Sequence, residues 1–377
     1  MTSFKTSFGT TIHEVTGYLE AHPHFDLTDV SPPYEDRTYF GIDGFIKDVY
    51  EYSIMIDFLE SLGFRCAWER ALDVGGAEGT MSRLLRGEGR AQWTATLDLT
   101  DLGKCLSTAT CLRHWARFRL ATTAARFSPK LRRFLLGDGM WRGKRLTWLY
   151  PNFGYQPPRS STFWNLRLRA IPSISQYIVG DFYKVEEKFD LITSFLALPC
   201  FDAERFFSKS SALLDEGGTL FFICDNWWFP VNSAVLVGRF PYVAQRLTES
   251  DFRRYVEEFH PDCVEDWMAR YRYFHEGKQR PTLNGYIEIA DRYDLELIGS
   301  RMLYPPYSKH NRAAVPPRVL NQFEDTRLSA VLEDIRRFRP DVGMVDLMTN
   351  YVMAAFVKRR RTTPTLSQYL QNKSRTT

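Results

Sequence analysis

Two short stretches hold residues whose types and spacing could do chemistry. The first is Ala71-Leu72-Asp73-Val74-Gly75-Gly76-Ala77-Glu78-Gly79, an apolar run that breaks into a glycine-rich turn. Such a turn lets the backbone approach a ligand closely, because glycine has no Cβ to stand in the way. The second is Asp98, which closes the run Trp93 to Leu97 and lies 19 residues after Gly79. A carboxylate there can accept hydrogen bonds from both hydroxyls of a ribose. The pair calls for a nucleoside-bearing cofactor. A dinucleotide site wants G-x-G-x-x-G. Counted from Gly75 those positions read Gly75, Ala77 and Thr80, so two of the three fail.

Other candidates are less defined. Asp225-Asn226 follows a nearly all-apolar run and offers oxygen ligands that suit a hard cation such as magnesium. The same two residues could instead line an acceptor pocket, with Asp225 near the chemistry, or cap the next turn. His260 and His275 are candidate bases, set against the plain alternative of surface or hydrogen-bonded histidines. The stretch 196–200 offers no titratable group but the Cys200 thiol. His22-Pro23-His24 with Asp26 and Asp29 lacks helical spacing and reads as chance polar clustering. The six cysteines form no C-x-x-C pair, which points to reduced thiols.

These residues need elements to hold them. Residues 42–62 read as a helix, with Val49, Ile56 and Leu59 at helical intervals and Gly63 as the stop. Strand, glycine turn, helix from Thr80 to Leu85, and strand ending on Asp98 make half of a doubly wound fold. The pattern resumes with strands at 175–179 and 189–198 and a helix capped by Asp202. Gly217-Gly218 should stop that helix, and 219–224 reads as a buried central strand. A helix on Leu283, Tyr286, Ile287, Ala290 and Tyr293, a strand at 295–303, a helix between Asp325 and Pro340 and a last strand at 351–357 complete the series.

In this order the motifs resemble those of the class I S-adenosylmethionine-dependent methyltransferases. Asp73, Gly75 and Gly79 match the first motif, with Ala77 replacing its middle glycine. The resemblance implies that this turn wraps the methionine part of S-adenosylmethionine and that Asp98 holds the ribose. By the same resemblance Asp181 and Phe182 hold the adenine, and the motif through Ser194 borders cofactor and acceptor. Leu213-Leu214-Asp215-Glu216-Gly217-Gly218 resembles the turn before the fifth strand. The likeness covers about 70–100, 173–228 and 282–357. It implies an α/β, Rossmann-like, doubly wound, mostly parallel sheet with an antiparallel last strand, plus helical insertions. The implied reaction is methyl transfer, with oxygen of a small-molecule, glycan or lipid-linked acceptor as the first reading. RNA methylation and a non-catalytic module that keeps the fold are the alternatives. Asp225-Asn226 also resembles the pair with which metal-dependent catechol-type O-methyltransferases hold magnesium, although Ser194 and Phe195 stand where those enzymes carry a further aspartate, so magnesium is a secondary expectation.

Composition then places the departures from that fold. The 377 residues carry a formal net charge of +4. That figure is a cancellation. Residues 104–172 hold 14 Lys or Arg and one acid, Asp138, and 358–377 add six basic residues and no acid. What remains is 29 basic against 44 acidic residues. The expected layout is an N-terminal helical cover at 1–69 and a core at 70–357. Insertions fall at 104–172, 229–281 and 304–349, and a basic tail at 358–377. The first insertion also carries eleven aromatic residues and one apolar helical stripe, Ala109, Leu112, Ala116 and Leu120. It could dock on an anionic membrane surface or grip an anionic acceptor with arginine forks. It could equally be a packed excursion, and nucleic acid ranks last. No apolar run approaches 18 residues and no leader is read after Met1. A cytoplasmic protein, with peripheral contact at the inner membrane surface, is the expectation.

Overall fold

The computed structural model describes residues 2–16, 42–102, 107–127, 140–141, 144–145, 174–229, 240–275, 280–303, 320–349 and 351–360. Most of the basic insertion, the histidine cluster at 22–29 and the tail after 360 lie outside the described residues.

Seven strands form the central sheet: β3 (Trp68–Val74), β4 (Ala91–Asp98), β7 (Gln176–Val179), β8 (Phe189–Phe195), β9 (Leu214–Asp225), β10 (Leu295–Leu303) and β11 (Tyr351–Lys358). Their spatial order is β10-β11-β9-β8-β3-β4-β7, while β5 (Met140–Trp141) and β6 (Lys144–Arg145) pair in a separate two-stranded ribbon. Pairings β3–β4, β4–β7, β3–β8 and β8–β9 are parallel. The last strand, β11, runs antiparallel between β9 and β10. This mostly parallel sheet with one antiparallel strand is the arrangement that the motifs imply. Chain order steps outward from β3 to β4 and β7, then returns to the other side of β3 at β8. The crevice at the carboxyl ends of β3 and β8 is therefore a topological switch point, where open α/β sheets bind ligands.

Both faces of the sheet are covered, which is why its middle strands are continuously apolar. Leu220 to Cys224 of β9 are fully buried. Helix α1 (Ile42–Ser61) lays Val49, Tyr52, Ile56 and Leu59 on one face, with Phe221, Ile223 and Met353 in the same core cluster. Each such side chain contributes about 1.5–3 kcal/mol when fully buried. Gly63, at φ 87°, follows the helix in the left-handed conformation that glycine tolerates. The opposite face packs under α4 (Ala203–Leu213) and α8 (Leu283–Arg292) through Phe206, Phe207 and Tyr286.

Three local expectations change. Helix α4 ends at Leu213, and β9 starts at once with Leu214 opposite Phe189. Gly217, at φ 83°, and Gly218 therefore sit in a bulge inside β9, between Leu214 opposite Phe189 and Thr219 opposite Leu191. The pairing of Leu214 with β8 wins over helix continuation. In α3 (Thr108–Phe127) the stripe of Ala109, Leu112 and Ala116 faces outward, and Leu112 is 49% exposed. Cys111, His114 and Phe118 turn inward instead, because they meet Phe45 and the core under α1. Finally, 3–13 is not a helical cover. Strands β1 (Ser3–Lys5) and β2 (Thr11–His13) form a hairpin. Its Phe4 and Ile12 join the second insertion, α5 (Val243–Arg246), α6 (Glu249–Phe259) and α7 (Val264–His275), in a separate core. Helices α9 (Leu328–Arg336) and α10 (Met344–Met348) pack beside it around Trp228.

Candidate functional site

The glycine turn is tied to the end of β4. Gly75 and Gly76 both donate to the Leu97 carbonyl, at 2.8 and 3.2 Å. The Ala77 amide donates to Asp98 Oδ2 at 3.2 Å, and Tyr177 Oη on β7 donates to the Ala77 carbonyl at 2.5 Å. Ala77 itself sits at φ 44°. A left-handed alanine costs roughly 1–2 kcal/mol, and it is gripped from both sides. Gly75 and Gly79 are also left-handed, at φ 71° and 79°. A Cβ on Gly75 would lie 2.3 Å from the Ala197 Cβ, so glycine there lets the turn close against the segment after β8.

Asp98 does more than end a strand. Its Oδ1 accepts from the Thr100 amide and hydroxyl, at 3.1 and 3.2 Å. Its own carbonyl accepts from Gly180 at 2.9 Å, which joins the Asp181 loop to the turn. Asp181 accepts from the Tyr183 amide as the cap of a short helical turn. The Phe182 ring is buried in the core against Phe201 and Phe206, so it presents no ring to a ligand.

Beneath the turn lies Asp73, 3% exposed. Thr193 on β8 donates to its Oδ1 at 2.8 Å. Burial pushes the Asp73 carboxyl up to about 7, the Thr193 bond opposes this, and Glu51, Asp98 and Glu78 add to it. Glu51 of α1 and Glu78 are themselves buried, at 2% and 5% exposure. Four carboxylates thus surround one turn. Ser194 follows Thr193 and faces the opposite side of the sheet. It is fully buried, and its Oγ has no hydrogen-bond partner among the described residues.

The remaining candidates go elsewhere. Asn226 is a clasp. Its amide donates to the carbonyls of Asp346 and Thr349, at 2.5 and 2.8 Å, and its Oδ1 accepts from the Trp228 amide. The Asn226 side chain is thus committed to main-chain groups, and no group of three metal-ligating side chains gathers among the described residues. Asp225 stays half-buried at the carboxyl end of β9, opposite Tyr351. Burial, then Asp225 and Glu51, raise the Tyr351 hydroxyl well above its usual range. His260 caps α6, and burial lowers it. His275 donates through Nε2 to the Ala244 carbonyl at 2.7 Å. Burial first, then Arg339 and Arg280, push it down to about 4, with the Ala244 bond opposing. Both histidines belong to the second insertion, and neither has a contact to the glycine turn among the described residues.

Three contributors escaped the sequence reading. Tyr177 is one apolar-looking residue in a short strand and gives no signal. Thr193 gives none either. Glu51 gives a faint one, an acid inside the apolar stripe Val49 to Ile56.

Comparison with known proteins yields no matching family model and no matching curated protein. Solved structures align with this chain at low identity and low TM-score. An S-adenosylmethionine-dependent methyltransferase from Mesorhizobium loti is 14% identical, with 80% of this chain and 96% of that chain covered and a TM-score of 0.35. The magnesium protoporphyrin IX methyltransferase of Synechocystis is 8% identical, covering 84% of each chain, with a TM-score of 0.36. Phosphoethanolamine N-methyltransferase 2 of Haemonchus contortus, solved with S-adenosyl-L-methionine, is 13% identical, covers 88% of this chain and 61% of that one, and scores 0.37. The fold class of this protein rests on its own strand order: a Rossmann-like, doubly wound, mostly parallel sheet with an antiparallel strand. Among the described residues no helix is long and apolar enough to cross a membrane.

Proposed function

We propose that this protein transfers the methyl group of S-adenosylmethionine. The observation that carries the reading is charge at the switch point. Glu51, Asp73, Glu78 and Asp98 surround a single glycine turn, and S-adenosylmethionine carries a sulfonium and an ammonium. In this reading the turn at Gly75, Ala77 and Gly79 holds the methionine part, and Asp98 holds the ribose. The main chain at Asp181 and Phe182 holds the adenine, and Ser194 borders the pocket. Bound cofactor supplies an already activated methyl group, so the chain's own task is alignment, which can be worth roughly 7–11 kcal/mol.

The acceptor we propose is an oxygen of a small molecule, a glycan or a lipid-linked glycan. A hydroxyl acceptor needs somewhere to send its proton. Asp225 is the candidate, being a half-buried carboxylate at the carboxyl end of β9 beside Tyr351. Residues 104–172 would meet the acceptor, or the membrane that carries it. Cosedimentation with anionic but not neutral vesicles tests the latter.

Calorimetric titration with S-adenosylmethionine tests the core of the proposal. Saturable binding is expected, and Asp98→Ala should weaken it about 10–100-fold through loss of charged hydrogen bonds. No binding at millimolar concentration would remove the reading, and unchanged affinity in the variant would refute the ribose site. Asp225→Asn should slow transfer while leaving cofactor affinity alone. A mass-spectrometric search for molecules gaining one methyl identifies the acceptor.

A further inference from the structure

A second cavity lies away from the glycine turn, between α7, α8 and the segment after α9. Its volume is about 420 Å³, within the roughly 300–1,000 Å³ of small-molecule sites. His275, Arg280 and Arg339 line it, with Gly285, Glu288, Arg292 and Asp341 from α8 and the chain after α9.

Arg280 is its unusual feature. The residue is 4% exposed, and no carboxylate pairs with it among the described residues. Its Nε, Nη1 and Nη2 donate to the carbonyls of Phe274, Pro199 and Tyr273, at 3.1, 2.9 and 3.0 Å. The guanidinium stacks 4.0 Å from the Trp227 ring centroid. Carbonyls and a ring ease the burial of this charge, but they do not neutralise it, and a guanidinium has five N–H groups to give. Arg339 lies alongside. Its Nη2 donates to the Arg280 carbonyl at 3.0 Å, and its Nε and Nη2 grip Asp341. The Arg339 side chain is partly exposed, and its guanidinium lies 4.6 Å from the Trp228 ring centroid. The neighbouring histidine cannot balance these cations with negative charge, and both guanidiniums help to keep it neutral.

The acids of the cavity do not cancel this inner end. Asp341 is held by Arg339, while Glu288 is exposed on α8. Arg292 pairs with Glu204 outside. The first turn of α8 is already capped, since Gly285 donates to Thr282 Oγ1 and Leu283 to Asp346. The two arginines therefore carry the argument. Both line one end of the cavity; Asp341 balances Arg339, so the charge left without a carboxylate there is that of Arg280, which suits an oxyanion with several acceptor atoms.

We propose that this cavity binds the phosphate group of a small phosphorylated molecule, with Arg280 and Arg339 as its ligands. The assignment is independent of the methyl-transfer reading. Among the described residues its link towards the glycine turn is the Arg280–Pro199 bond, in the turn that follows Ala197.

The test is calorimetric titration of the full chain with inorganic phosphate and with glycerol 3-phosphate, glycerol being the uncharged control. Saturable binding of at least one phosphate probe, and none of glycerol, is expected. Replacing Arg280 endangers the fold, because it holds three carbonyls. Arg339→Gln should instead weaken binding about tenfold, as expected for loss of a charge-assisted contact. Glu288→Gln, an exposed change, should tighten it about twofold by removing a negative charge near the site. Thermal melts confirm that both variants fold. No saturation by either probe at about 10 mM overturns the proposal, as does a folded Arg339→Gln protein that binds as the parent does.

Discussion

At the carboxyl ends of β3 and β4, carboxylates crowd a single turn, and the buried Asp73 is pushed up to about 7. At the junction of α7 and α8, guanidiniums crowd a single histidine, and His275 is pushed down to about 4. Burial is the largest cause in both places, and like-charged neighbours reinforce it. The difference teaches what each place would accept: the acidic crest favours a cation, and the arginine cavity favours an anion. It also gives the two groups opposite effects on stability. Asp73 titrates higher folded than unfolded, so the folded chain keeps a proton that the unfolded chain releases. That contribution is complete at low pH and is lost as pH rises to about 7. His275 titrates lower folded than unfolded. Its contribution is complete above its ordinary value of about 6.5 and is lost as pH falls to about 4.

The most disruptive way to probe the crest is Gly75→Ala. It adds a left-handed alanine, costing about 1–2 kcal/mol, and a clash with Ala197 worth about 1–3 kcal/mol. Denaturant unfolding should show a loss of about 2–5 kcal/mol. A variant as stable as the parent would mean that the turn does not press on the segment after β8.

Next come the pH slopes. Unfolding free energies measured from pH 4 to 8 should separate the two groups. Asp73→Asn should remove a fall in stability as pH rises from about 4 to about 7, and His275→Gln should remove an opposing gain between about 4 and 6.5, each at most about 1.4 kcal/mol per pH unit. Identical profiles for both variants would break the comparison.

Asn226→Ala should cost about 2 kcal/mol by leaving two carbonyls unmet. The clasp joins β9 to the α10 region, where Asp346 also receives the Leu283 amide of α8. If Asn226 serves only as this clasp, turnover should survive EDTA unchanged, whereas loss of activity restored by magnesium would return it to a metal-binding role.

The mildest change, Tyr177→Phe, removes one bond to Ala77 and should cost about 1 kcal/mol, together with a few-fold weaker S-adenosylmethionine binding. Unaltered affinity would show that Asp98 alone steadies the turn.

Much of the sheet was legible in advance because burial of both faces leaves continuous apolar runs. The strands around Leu72, Ile192 and Phe222, and the glycine turn between β3 and α2 (Thr80–Gly87), announce themselves in that way. Asp73, Gly75, Ala77, Gly79 and Asp98 were legible as a set, since strand ends and turns place them at one edge. The inward face of α3 was not. Its Ala109, Leu112 and Ala116 form a sound helical stripe, but partners from α1 decide which side is buried. The tandem Gly217-Gly218 could stop a helix or make a bulge, and only pairing with β8 chose the bulge.

By itself, then, the sequence determined the order of strands and helices, the glycine turn and the acid that faces it. These follow from local periodicity and backbone freedom, which neighbouring residues control. Tertiary structure alone decided that Glu51 approaches Asp73, that Tyr177 grips Ala77, that Asn226 is a clasp, and that Arg280 is buried without a carboxylate. Those facts depend on which distant segments meet, and on the desolvation their meeting imposes, which spacing along one chain does not encode.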